Sequence, residues 1–161
     1  MKHTISVMVE NKFGVLARVS GLFSSRGFNI ESLSVGETTD STVSRMTIVT
    51  RGDDQIIEQV IKQLRRLIDV IKVTDLTEDN FVEREMVLIK VNSDSKSKSE
   101  VLEIVNVFRG KIIDLSPRSY IIEVTGDSEK IDAILGLLKP IGIKEIARTG
   151  SVAMSRGVKK G

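Results

Sequence analysis

Little in this chain is equipped for covalent chemistry. Among 161 residues there is one histidine, His3, and no cysteine. A thiol nucleophile and a zinc–thiolate centre are therefore excluded. His3 stands at the N-terminus, which reads as a frayed, exposed position and not as the place of a general base. No set of nucleophile, base and orienting group can be assembled from the residues. Glu83 and Glu85 read as a solvated linker edge. Asp53 and Asp54 carry donors for a hard cation, but their place just before an apolar helical stripe fits helix capping. No glycine-rich phosphate loop occurs. The chain by itself is expected to be no catalyst.

The residues with a specific chemistry are those of a small-ligand site. They run Glu10-Asn11-Lys12-Phe13-Gly14-Val15-Leu16, then after a helix Arg26-Gly27-Phe28-Asn29-Ile30-Glu31-Ser32-Leu33-Ser34-Val35-Gly36. A helix N-terminus offers unpaired amides and a partial positive charge, enough to hold a carboxylate without a cationic side chain. Gly14 lets a ligand approach the backbone, having no Cβ in the way. Asn11 and Asn29 both donate and accept, which suits the ends of a zwitterion. Val15, Leu16 and Ile30 could surround a small branched aliphatic group. Together these describe a pocket for a free amino acid. The plainer reading gives Asn11 a turn and Gly14 a backbone role.

The elements that must position these residues follow from periodicity. Thr4–Val9 alternates and reads as a half-buried strand. Val15, Leu16, Val19, Leu22 and Phe23 form one helical stripe, which Gly27 ends. Strands follow at Phe28–Val35 and Val43–Thr50. A helix buries Ile56, Ile57, Val60, Ile61, Leu64 and Leu67, and Val70–Leu76 is a fourth strand. The order βαββαβ is the split pattern of a ferredoxin-like sandwich. Thr77–Glu83 reads as a polar linker, and then the pattern repeats. Strands are expected at Glu85–Val91, Lys111–Leu115, Tyr120–Thr125 and Ile143–Ala147, the last of these ending the regular structure. Val101, Leu102, Val105 and Phe108 mark one helix of this half, and Ile131, Ile134, Leu135 and Leu138 the other. Arg148–Gly161 reads as a basic tail. The fold class is α+β, with two tandem βαββαβ domains. In such a sheet the second strand lies at an edge, so two chains could pair there and set Asn29 and Ile30 against the partner's turn.

Composition narrows the partners. The 24 basic and 22 acidic residues give a net charge of +2, no strong pull toward nucleic acid. RNA-binding modules of the same strand order stack bases on aromatics. The first and third strands here contain none. After two repeats no helix-turn-helix segment is left for DNA. The N-terminus has no signal-like apolar run, and no stretch approaches the length of a bilayer span. A cytoplasmic protein is expected.

Residues 3–76 resemble an ACT domain, and the whole chain resembles the small, regulatory subunits of acetohydroxyacid synthase (acetolactate synthase). The runs that carry the likeness are Arg26–Gly36, Val82-Glu83-Arg84-Glu85-Met86, Phe108-Arg109-Gly110-Lys111-Ile112-Ile113-Asp114 and Glu145-Ile146-Ala147-Arg148-Thr149-Gly150. The resemblance implies an effector-binding, dimer-forming ACT domain over residues 1–77, a linker over 78–84, a second ferredoxin-like domain over 85–150 and a basic tail over 151–161. It implies a partner, the catalytic large subunit, which condenses pyruvate with pyruvate or 2-oxobutyrate on the way to valine, leucine and isoleucine. Thiamine diphosphate, Mg and FAD belong to that subunit, with no cofactor in this chain. It further implies a homodimer, activation of the catalytic chain and feedback inhibition by valine, or by leucine or isoleucine. The matching effector positions are Asn11, Gly14, Val15 and Leu16 of one chain with Asn29 and Ile30 of the other. Phe13 departs from the proline that many relatives carry there, leaving the turn freer. The alternative is a free-standing ACT-type sensor acting on another partner.

Overall fold

The computed structural model describes residues 1–157. They divide into two compact units. The first is Met1–Val82 together with the described residues from Ser151 onward; the second is Glu83–Gly150.

In the first unit the order is β1 (Lys2–Glu10), α1 (Val15–Ser25), β2 (Ile30–Glu37), β3 (Val43–Arg51), α2 (Asp54–Leu64) and β4 (Val70–Asp75). The strands form an antiparallel sheet in the order β2-β3-β1-β4, which puts β2 at an edge. Alternation decides the faces. Ile5, Val7 and Val9 of β1 and Met46 and Ile48 of β3 turn to one side. There they meet Val15, Val19 and Phe23 of α1 and Ile57, Val60 and Leu64 of α2. Burying Phe23 alone contributes about 1.5–3 kcal/mol. Gly27, at φ 77°, turns the chain out of α1, and the Phe28 N–H returns to the Phe23 carbonyl at 2.9 Å. Asp53 starts α2 by accepting from the Gln55 N–H at 2.8 Å.

The second unit repeats the plan with β5 (Phe81–Asn92, whose first two residues belong to the first unit), α3 (Lys98–Val107), β6 (Lys111–Leu115), β7 (Ser119–Gly126), α4 (Ser128–Leu138) and β8 (Ile143–Arg148). Its strand order is β6-β7-β5-β8, and Val87, Ile89, Val91, Ile122, Val124, Ile131, Ile134 and Leu138 are buried in its core. The two expected βαββαβ units are therefore present. No helix among the described residues is long and apolar enough to cross a membrane.

The ends of the repeats differ from expectation. Phe81–Glu83, read from sequence as linker, begin β5. Val152–Ser155, read as tail, form β9, which pairs with β5. Each segment satisfies the other's backbone: the Arg156 N–H donates to the Asn80 carbonyl at 2.9 Å. A pairing partner 76 residues away leaves no local trace in the sequence. The Ser151 N–H also donates to Ser32 Oγ at 2.8 Å, and Ala153 is buried. This segment therefore lies against the face of the first sheet opposite its helices. Lys159 and Lys160 of the expected tail lie outside the described residues.

Candidate functional site

The turn between β1 and α1 is held from three sides. The Glu10 N–H donates to the Asp69 carbonyl and the Asn11 N–H to the Thr42 carbonyl, both at 2.8 Å. Asn11 Nδ2 donates to Ser41 O at 3.0 Å and to Glu37 Oε1 at 3.2 Å. Asn11 thus ties the turn to the β2–β3 connection. Gly14 follows at φ 79°, ψ −8°, a left-handed conformation that side chains with a Cβ rarely adopt. It occupies the cap position of α1. No side chain caps this helix, and no acidic residue stands in its first turn. Its leading amides keep their positive end open.

The charges around the turn are already paired. Arg18 reaches Asp69 at 2.7 Å. Lys12 reaches Glu10 at 2.9 Å; that hydrogen bond, then the carboxylate's charge, holds the Lys12 ammonium above its ordinary range. The electropositive feature left at the turn is the helix end.

The side chains of the expected site divide. Leu16 is exposed beside the turn, and Phe13 is fully exposed. Val15 does not face the turn: it is 3% exposed and packs in the core, so it offers its amide and not an apolar wall. Asn29 is exposed, with its carbonyl accepting from Thr50 Oγ1 at 2.7 Å. Ile30 is half-buried against the core. Within one chain these two are far from the turn. Ile30 pairs with Thr50, whereas Glu10, next to Asn11, pairs with Val43. Seven steps along β3 separate those rungs, about 23 Å at the usual rise. The structure brings Asn11, Gly14 and Leu16 together and leaves Asn29 and Ile30 at the other end of the sheet.

Two sequence readings away from the turn are corrected. His3 is not frayed but buried, 4% exposed. Its Nε2 lies 2.9 Å from Asp54 Oδ1, and its Nδ1 lies 3.4 Å from Thr77 Oγ1 and 3.6 Å from Asp75 Oδ2. It ties the start of β1 to the start of α2 and the end of β4. Asp54 is thereby engaged, as Asp53 is by its cap. Glu83 and Glu85 are not a solvated edge. Glu83 Oε1 accepts from the N–H and hydroxyl of Ser128, and Glu85 is buried against Arg148, at 2.9 Å from Nε and 2.5 Å from Nη2. Arg148, assigned to the tail, is the last residue of β8. These pairs escape sequence reading because their members lie 45 or more positions apart.

Residues 5–72 match the family described as the AHAS small subunit-like ACT domain, and residues 84–157 match the family described as the small subunit of acetolactate synthase. The chain belongs to the acetolactate synthase small-subunit family. A probable acetolactate synthase small subunit of Archaeoglobus fulgidus is 59% identical over 99% of this chain and 100% of its own length. The acetolactate synthase small subunit of Aquifex aeolicus is 60% identical over 96% of this chain and 81% of its own. The crystal structure of the small subunit from Thermotoga maritima is 47% identical, with a TM-score of 0.88 and 99% coverage of both chains. The small-subunit family therefore accounts for both units, the ACT unit with its open helix end and the unit that follows.

Proposed function

We propose that this chain is the regulatory subunit of an acetolactate synthase. It binds a separate catalytic large subunit, raises its activity and makes it subject to feedback inhibition by valine. The observation that carries the effector reading is the open, left-handed Gly14 cap at one end of the edge strand β2, with Asn29 and Ile30 at the other. Two chains pairing antiparallel along β2 about a twofold axis would set each start of β2 beside its partner's end. Asn11 is bonded to that end through Glu37. Asn29 and Ile30 of one protomer then complete the turn site of the other, and ligand and dimer become linked.

In that site the effector carboxylate lies on the first amides of α1. Asn11 Nδ2 is occupied within the chain, leaving its carbonyl oxygen to accept from the ammonium. Leu16 and the partner's Ile30 cover the branched side chain. An effector that binds one arrangement of the regulatory dimer better shifts the holoenzyme toward it.

The test is a titration of reconstituted acetolactate-forming activity with valine, leucine and isoleucine. Adding this chain to the catalytic subunit raises the activity, and valine lowers it. Gly14→Asp abolishes the valine response, because it sets a carboxylate where the effector's must lie. Unchanged inhibition in that variant removes the site assignment. Failure of a catalytic chain to co-purify leaves instead a sensor for another partner.

A further inference from the structure

A second ligand site lies in the same unit, on the sheet face turned away from its helices. Met8 pairs with Arg45 on one side and with Lys72 on the other. The three form one rung across β3, β1 and β4. Their neighbours Val7, Met46 and Val73 are buried in the core, so the rung points outward. Arg45 and Lys72 stand two strand spacings apart, about 10 Å, with the Met8 thioether between them.

Leu76 and Met154 join this rung in lining an open cavity of about 420 Å³. That volume lies in the range of small-molecule sites. The remaining polar lining consists of hydroxyls, Ser6, Thr74 and Ser155, and no aspartate or glutamate lines it. Among the described residues neither Arg45 nor Lys72 has a carboxylate partner. Arg45 Nε rests 3.4 Å from Met8 Sδ. Two cations without a carboxylate partner beside an apolar floor can hold an anion through charge-assisted hydrogen bonds. The same lining discriminates: an α-ammonium group would meet two cations and no acceptor carboxylate.

We propose that this cavity binds a small aliphatic carboxylate lacking an ammonium group. The carboxylate bridges toward Arg45 and Lys72, and the aliphatic part lies on Met8 and Met154. The site is separate from the Asn11–Gly14 turn and does not rest on the effector reading of that turn. It would let one unit respond to an amino acid at its edge and to a carboxylate without an ammonium group on its face.

Isothermal titration of the full chain with 3-methyl-2-oxobutanoate tests it, with L-valine and inorganic phosphate as comparisons. The oxo acid binds, and valine does not displace it. Arg45→Gln and Lys72→Met each weaken binding about tenfold or more. Gly14→Asp leaves binding unchanged. Met154→Glu, at an exposed position, weakens binding by supplying the missing negative charge, with both cations kept. The proposal is overturned if the oxo acid does not bind, if both cation variants bind as before, or if Gly14→Asp abolishes binding. Phosphate binding as tightly as the oxo acid also overturns it, since the apolar floor would then have no part.

Discussion

The Phe28 ring fills the space that a side chain on Gly52 would need. A β-carbon built there falls 1.5 Å from Phe28 Cε1. Phe28 packs against the core where α1 hands over to β2, and Gly52 links β3 to α2. The glycine between the two halves of the unit is therefore demanded by packing and not by its own backbone angles.

Gly52→Ala must displace the Phe28 ring. A loss of about 1–3 kcal/mol is expected, as for other overpacked sites. The fall in the urea midpoint measures it. The double variant Gly52→Ala with Phe28→Leu should lose less than the two singles combined, because the smaller side chain leaves room. Additive losses would mean that the contact is not the cause.

His3 supports the fold from the edge of the first unit. His3→Leu removes its tie to Asp54 at 2.9 Å and leaves the Asp75 and Thr77 groups short of a neighbour. A loss of about 1–3 kcal/mol is expected. An exposed, frayed histidine would show no loss, so chemical denaturation separates the two placements directly.

Arg148→Met strands the Glu85 carboxylate, which is 6% exposed. Arg148 is partly exposed, so the loss is held to about 2 kcal/mol. Amide hydrogen exchange should locate the weakening in β5 and β8. Restoring neutrality with Glu85→Gln on the Arg148→Met background should recover part of it. No recovery would argue against charge burial.

Acid weakens the start of the second unit's first helix. Asp94 accepts from the Ser97 N–H at 2.8 Å, the Ser97 hydroxyl at 2.8 Å and the Lys96 N–H at 3.0 Å. The Ser97 amide bond is the largest cause holding the Asp94 carboxyl below its usual range. A carboxyl lowered in the folded chain stabilises above its unfolded pKa and loses that contribution as the pH falls through its folded value. The window therefore lies below about pH 4. Asp94→Asn should show a shallower fall of the urea midpoint between about pH 4 and pH 2 than the parent. Equal slopes would assign the acid sensitivity elsewhere, for example to Glu145, whose carboxyl the Lys90 hydrogen bond also lowers.

The sequence by itself determined the repeat. Alternation in Thr4–Val9 and the 3.6-residue stripe from Val15 to Phe23 are local consequences of burying one face, so both units were legible in order and nearly in extent. The Asn11–Gly14 turn was legible for the same reason: a left-handed cap needs glycine, and a helix start carries its own charge. Tertiary structure decided whatever depends on a distant partner. Val152–Ser155 is a strand because β5 receives it, and Phe81–Glu83 belong to β5 because β9 is there. His3 is buried because Asp54 and Asp75 meet at one end of the first sheet. The Val15 side chain lies in the core because it falls on the same helical stripe as Val19 and Phe23. Arg45 and Lys72 converge because register sets them on one rung with Met8. Pairing register and burial join residues that sequence spacing keeps apart, and local periodicity carries no record of either.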